Sequence, residues 1–197
     1  MPPEQDVVFV VDDDADLAES LARLLRRQGL RTHSFVTVDA FFAHPARPRG
    51  GACLLSDVML GEVDGFQVAR RARQADPALS VVFITAWPKT TDAVDAIRRF
   101  GGIDYLEKPL DEARLLAAVT EGLAWSRARR QASDRVATLS GRERQVLQMI
   151  ARGLSSKMVA LELDLSAKTV EDHRTAIRAK TGAVSLPDLI VLADALP

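Results

Sequence analysis

The sequence predicts an α/β domain built on a doubly wound five-stranded parallel sheet, followed by an all-α unit of four short helices. Three observations carry this expectation. Up to about residue 120, short apolar runs alternate with amphipathic stretches. Beyond about residue 137 the strand-like runs stop, and helical segments separated by Gly or Ser remain. Between them lies Ser126-Arg127-Ala128-Arg129-Arg130-Gln131-Ala132-Ser133, polar and poor in core residues. The expected division is therefore a domain over 5–122, a helical linker over 123–136 and a helical domain over 137–197.

Each element has its own local reason. Val7–Val11 is five consecutive apolar residues, the pattern of a strand covered on both faces. Ala15–Gln28 reads as a helix with Leu17, Leu21, Leu24 and Leu25 on one face and Gly29 to end it. Leu30–Phe35 is a less apolar strand, suited to an edge. Ala52–Ser56 is a third strand, and a helix near Val63–Ala75 follows a Gly-containing loop. Ser80–Thr85 is the fourth strand, with a helix near Thr90–Phe100 after it. Ile103–Leu106 is the fifth, and from Leu110 a long helix continues through Leu115, Leu116, Val119 and Leu123.

In the last part, Ser140 with Glu143 forms a capping box for a helix whose inner face is Val146, Leu147, Ile150 and Ala151, and Gly153 closes it. Ser155 caps a second helix ending near Leu163, and Ser166 a third ending before Gly182. Ser185 caps a fourth, with Pro187 in its first turn, where a missing N–H does no harm.

Composition narrows the class. At 47% hydrophobic and 27% charged residues the chain suits a globular fold, and its apolar runs are too short to span a bilayer. Met1-Pro2-Pro3-Glu4-Gln5-Asp6 has neither a basic region nor an apolar stretch, so a cytoplasmic protein without a signal peptide is expected. A single cysteine, Cys53, excludes an internal disulfide framework and a cysteine-based zinc site. Residues 1–120 carry 14 Lys and Arg against 18 Asp and Glu; residues 121–197 carry 12 against 9. A mildly basic end beside an acidic larger part suggests that only the end meets a polyanion.

Asp12 and Asp13 directly follow the first strand, and Asp57 follows the third. In a sheet of order 2-1-3-4-5 these strand ends flank the topological switch point, where ligands bind. Three carboxylates converging there need a cation between them, and an all-oxygen site that keeps several waters suits Mg²⁺. Asp14 or Asp16 reads instead as a cap for the following helix. Thr85 ends strand four and Lys108 ends strand five, a hydroxyl and an ammonium ready for an anion. Together these make a phosphoryl site: the carboxylate is the nucleophile, while metal and lysine offset charge on the transferring group. His33, His44 and Cys53 lie outside this set and read as packing or surface residues.

Val-Val-Asp-Asp-Asp, Ser-Asp57-Val-Met-Leu-Gly-Glu-Val-Asp64-Gly65, Ile-Thr85-Ala86 and Tyr105-Leu-Glu-Lys108-Pro109 resemble the receiver domain of two-component response regulators, over about residues 5–125. The resemblance implies a flavodoxin-like fold in which Asp57 accepts a phosphoryl group from the histidine of a sensor kinase. It implies Mg²⁺ on Asp13, Asp57 and the Met59 carbonyl, with Asp12 acting through water. Thr85 and Lys108 would contact phosphoryl oxygens, and Tyr105 would be a rotameric switch with Thr85. Met59 and Trp87 would flank the approach of a hydrolytic water. Two positions depart from the family: Leu60-Gly61 stands where Met-Pro is usual, and Gly101-Gly102 where Gly-Ala is usual. Neither removes a chemical group.

Leu-Ser-Gly-Arg-Glu-Arg-Gln-Val-Leu, Gly-Leu-Ser-Ser-Lys-Met-Val-Ala and Ser-Ala-Lys-Thr-Val-Glu-Asp-His-Arg resemble the LuxR-type DNA-binding domain. The Leu163-Asp164-Leu165-Ser166 turn has helix-turn-helix spacing, with Asp164 where Gly is commoner. On the helix after Ser166, Val170, His173 and Ile177 share an inward face, while Lys168, Glu171, Asp172 and Thr175 share a face free to enter a major groove. Lys168, Arg174, Arg178 and, from the preceding helix, Lys157 are candidates for phosphate contact, with Thr169 grouped among the DNA contacts. Glu171 or Asp172 is suited to accept from cytosine N4.

The resulting expectation is a transcription regulator of the FixJ/NarL type, not an enzyme. A sensor histidine kinase, a duplex operator and a second copy of the chain are its partners. Val94, Arg98 and the strand with Asp104 and Tyr105 would form the face that pairs on phosphorylation. The alternatives are an aspartyl-phosphate hydrolase with a helical appendage, or an adaptor that binds protein through its C-terminal helices. Such hydrolases place Asp-x-Asp on the first strand, whereas the nucleophile candidate here lies on the third.

Overall fold

The computed structural model describes residues 6–45, 48–89, 94, 96 and 102–196. The chain divides into two compact units, Met1–Arg127 and Ala128–Pro197.

In the first unit the strands are β1 (Val7–Val11), β2 (Arg31–Phe35), β3 (Ala52–Asp57), β4 (Met59–Leu60), β5 (Val63–Asp64), β6 (Ser80–Thr85) and β7 (Asp104–Glu107). The helices are α1 (Ala15–Arg27), α2 (Val38–Ala43), α3 (Gly65–Ala75) and α4 (Glu112–Ala137). Five strands form a parallel sheet in the order β2-β1-β3-β6-β7, which in strand count is the expected 2-1-3-4-5. The alternation of a two-faced strand builds two cores. Val7, Phe9 and Val11 join Leu54, Val81 and Phe83 beneath Phe66, Val68 and Ala69 of α3. Val8 and Val10 join Leu55, Val82 and Ile84 beneath Leu21 and Leu25 of α1 and Leu115 and Val119 of α4. β2 is an edge, as its mixed composition predicts. There His33 and His44 lie 4.5 Å apart by ring centroid, and His33 stacks on Phe9. Burial, ahead of the His44 neighbour, holds the His33 imidazole below its ordinary value.

The structure adds three features that the sequence did not predict. α2, capped by Thr37, is too short for its periodicity to register. Met59–Leu60 and Val63–Asp64 form a small antiparallel hairpin, so the helix expected near Val63–Ala75 begins at Gly65. The polar stretch Ser126–Ser133 belongs to the uninterrupted helix α4. Within it Ser126 is fully buried: its hydroxyl accepts from Ala52 N at 2.9 Å and donates to the Ala78 carbonyl. A hydroxyl that satisfies backbone groups of two other segments is core material, although its letter reads as linker. The helix expected near Thr90–Phe100 lies outside the described residues except for Val94 and Ala96, which are helical.

The second unit takes the last turns of α4 together with α5 (Gly141–Ala151), α6 (Ser156–Glu162), α7 (Ala167–Thr181) and α8 (Leu186–Asp194). Ser140, Ser155, Ser166 and Ser185 cap these four helices, with complete capping boxes at Ser140–Glu143 and Ser185–Asp188. Val136, Val146, Leu147, Ile150, Val159, Val170, Ile177 and Leu189 form the core. In the turn between α6 and α7, Asp164 adopts a left-handed backbone with φ of 52°, the conformation that glycine adopts at least cost.

Candidate functional site

At the C-terminal ends of β1 and β3, the sheet brings Asp12, Asp13 and Asp57 together, each offering an oxygen within 4.8 Å of the others. Asp12 is 1% exposed and Asp57 7%, while Asp13 is exposed. Lys108, just past β7, reaches across: its Nζ donates to Asp12 Oδ2 at 2.8 Å and to Asp57 Oδ2 at 2.5 Å. Three further carboxylate oxygens are held by backbone N–H groups. Asp14 N donates to Asp12 Oδ1 at 2.9 Å, Met59 N to Asp57 Oδ1 at 2.8 Å, and Gly61 N to Asp13 Oδ2 at 3.1 Å. Asp14 itself caps α1, accepting from Asp16 N and Leu17 N. Thr85 is buried at the end of β6, one residue beyond the Ile84 that pairs with Asp57, and Lys108 N donates to its carbonyl at 2.7 Å.

The electrostatics follow from this crowding. Burial raises the Asp12 carboxyl above its ordinary value, against the lowering from Lys108 and the Asp14 N–H. For Lys108, burial alone would lower the ammonium. The hydrogen bonds it donates to Asp12 and Asp57 together override it, and the group is held above its ordinary value. One ammonium pairs with two of the three clustered carboxylates, so negative charge is left over on a set of hard oxygen donors. Such a set fits a small divalent cation that keeps some of its waters.

Gly65 explains how closely the hairpin folds over Asp57. A Cβ on Gly65 would lie 2.0 Å from the Asp57 carbonyl oxygen, so no other residue fits without moving the strand end. Tyr105 is half-buried against the core on β7, and Asp104 pairs with Arg114 at 3.3 Å. Met59 and Trp87 expose 56% and 72% of their surface, and Val94 exposes 45%. Arg98 lies outside the described residues. Cys53 is buried on β3, and burial pushes its thiol up to about 12 despite a hydrogen bond with Ser80, so it is inert as a nucleophile.

In the second unit, Val170 and Ile177 of α7 are buried and His173 is half-buried, while Lys168, Glu171, Asp172, Thr175 and Arg178 are exposed. Lys157 is exposed in the first turn of α6. Thr169 shares a hydrogen bond with Ser166 at the helix start. Arg174 differs from the other cations: its side chain is 26% exposed and donates to Ser156 Oγ at 2.9 Å. Ser156, absent from the sequence reading, has no local signal, because its partners lie 15 and 18 residues away.

A carboxylate cluster with a lysine at a switch point, joined to a helix-turn-helix unit, is the arrangement of a receiver module followed by a DNA-binding module. Residues 8–120 match the family model described as response regulator receiver domain. Residues 137–193 match the one described as bacterial regulatory proteins, luxR family. The chain belongs to the two-component response regulators that join a receiver to a LuxR-type DNA-binding domain. It is 35% identical to the transcriptional regulatory protein FixJ of Azorhizobium caulinodans, covering 97% of this chain and 93% of that one. It is 33% identical to the response regulator protein TodT of Pseudomonas putida, covering 100% and 88%. Among solved structures, the response regulator StyR aligns with a TM-score of 0.58 at 34% identity, covering 96% of this chain and 98% of that one. Full-length FixJ from B. japonicum aligns with a TM-score of 0.52 at 34% identity, covering 96% of each chain. The family is one of phosphorylation-regulated transcription regulators in two-component systems, which removes the hydrolase alternative. Among the described residues no helix is long and apolar enough to cross a membrane.

Proposed function

We propose that Asp57 is the phosphoacceptor of this regulator and that its phosphorylation by a sensor histidine kinase promotes pairing of two copies and binding to a duplex operator. The observation that carries this reading is the junction of Asp57 with Lys108 at 2.5 Å inside the cluster with Asp12 and Asp13. An Asp57 carboxylate oxygen attacks the phosphorus of a phosphohistidine, and the phosphorus–nitrogen bond breaks as the oxygen–phosphorus bond forms. Lys108 then turns its ammonium from the carboxylates to the phosphoryl oxygens, with the Thr85 hydroxyl as a second donor. Asp12, Asp13, Asp57 and the Met59 carbonyl would hold Mg²⁺, which supplies charge neutralisation on the transferring group. Thr85 and Tyr105 are the switch pair that reports the phosphoryl group to the outer face of β7. Val94, Arg98 and Asp104 are assigned to the pairing face.

On the DNA side, Lys157, Lys168, Arg174 and Arg178 are the phosphate contacts, and Thr169, Glu171, Asp172 and Thr175 face the groove. The functional division is receiver over 5–122, linker over 123–136 and DNA-binding domain over 137–197, in a cytoplasmic protein. Incubation with acetyl phosphate and Mg²⁺, read by intact mass, tests the phosphoacceptor. Wild type should gain one phosphoryl group and Asp57→Asn none. Undiminished labelling of the Asn variant contradicts the assignment.

A further inference from the structure

Three side chains from two helices meet on the surface of the second unit. Ser156, the first residue of α6, donates its hydroxyl hydrogen to Glu171 Oε1 and accepts one from Arg174 Nη1. Arg174 Nε lies 3.8 Å from Glu171 Oε2. Both Glu171 oxygens therefore have a neighbour within the protein, yet the side chain remains 60% exposed. Asp172, beside it, is held differently. Its ion pair is with Lys168 one turn back, at 3.8 Å and with both side chains at least 70% exposed. Such a pair barely restricts either side chain.

We propose that Ser156 is a positioning residue that determines base specificity. It fixes the Glu171 carboxylate on the groove side of α7, where that carboxylate accepts from the exocyclic amino group of one base, cytosine N4 by its pairing chemistry. This rests on the DNA-binding reading above and selects Glu171 over Asp172 as the reader. A free glutamate next to a phosphate backbone is repelled and samples many rotamers, so its base contact would carry an ordering cost on binding. A serine hydroxyl suits the task because it can donate to a carboxylate and accept from a guanidinium at the same time. Arg174, besides the phosphate contact assigned to it above, supplies the countercharge that lets a carboxylate sit near phosphates.

The test is selection of the full chain, treated with acetyl phosphate, against a randomised duplex library, with the salt dependence of binding measured alongside. The variants are Glu171→Ala, Ser156→Ala, Ser156→Thr and the double Ala variant. Glu171→Ala should lower discrimination at one base-pair position roughly tenfold. Ser156→Ala should lower it at that same position roughly threefold with an unchanged salt slope. Ser156→Thr, which keeps the hydroxyl, should retain the wild-type preference. The double variant should be no worse than Glu171→Ala, a coupling that a general loosening of α6 would not produce. Should Glu171→Ala relax one position while Ser156→Ala leaves it intact, or weaken all sequences alike, the positioning role is wrong and the base reading stands. If Glu171→Ala changes no position, both the positioning and the Glu171 reading fail. If no duplex is bound at low salt, the DNA-binding reading fails and the positioning role falls with it.

Discussion

Lys108 balances two carboxylates on one ammonium, Asp12 at 2.8 Å and Asp57 at 2.5 Å, and this balance makes a buried acidic cluster tolerable. The walls of the site matter for how long a phosphorylated Asp57 survives. A hydrolytic water must arrive in line with the oxygen–phosphorus bond, and neither Met59 nor Trp87 can accept a proton or orient that water. Both lie next to site residues: Met59 N donates to Asp57 Oδ1 and Trp87 N to Thr85 Oγ1. Wild type should therefore lose its phosphoryl group slowly after removal of the donor, and Met59→Asn/Trp87→Glu severalfold faster. Equal decay rates, read by intact mass over time, would show that these two side chains do not control it. At this scale the sequence was informative where chemistry is local. Asp12, Asp13, Asp57, Thr85 and Lys108 each lie at or just past the end of a strand, and strand ends of a doubly wound sheet converge. Ser126 and Ser156 were illegible because their partners come from other elements, and a serine's letter does not say whether it faces water or a backbone amide.

α4 shows how an element can mislead when read by polarity alone. Its stretch after Trp125 is rich in Arg and Ser, yet Ser126, Ala132 and Val136 are buried. Ser126→Ala leaves the Ala52 N–H and the Ala78 carbonyl without this partner in a buried place. It should destabilise the first unit by about 1–3 kcal/mol, whereas Ser133→Ala, on the exposed side, should stay within about 0.5 kcal/mol. Urea unfolding followed by Trp fluorescence separates the two.

The short helices of the second unit were readable at their ends because serine caps and capping boxes are local signals, and α2 was not because six residues give too little period. α5 and α7 are also joined by charge. Lys180 Nζ donates to both Glu143 oxygens, at 2.8 and 2.7 Å, while Ser140 N donates to Oε2. Lys180, and after it the Ser140 N–H, hold the Glu143 carboxyl below its ordinary value. The folded state therefore binds this proton less readily than the unfolded chain. The stabilisation is complete above the ordinary glutamate value of about 4.3 and fades as pH falls through the lower folded value. The protection of α5 and α7 amides, measured against their intrinsic exchange rates, should fall in wild type across that acid window. In Glu143→Gln that protection should already be lower at neutral pH and change less with pH. Parallel pH profiles for the two proteins would contradict this linkage.

At the scale of the whole molecule, the sequence revealed the class of each part because two different periods occupy two different stretches of chain. It was less informative about where one part gives way to the other, since α4 runs unbroken from Glu112 to Ala137 across that point. The charge balance follows the same division, with acidic groups gathered at the sheet edge and cations such as Lys157, Lys168 and Arg178 exposed on α6 and α7. The central claim is that chemistry at Asp57 controls what the second unit does with DNA. Sedimentation of the full chain with a labelled duplex carrying its selected site, with and without acetyl phosphate and Mg²⁺, tests that claim most directly. Wild type should bind more tightly when phosphorylated, at two copies per duplex, and Asp57→Asn should behave like the untreated protein under both conditions. Equal affinity and stoichiometry for treated and untreated wild type would contradict the account.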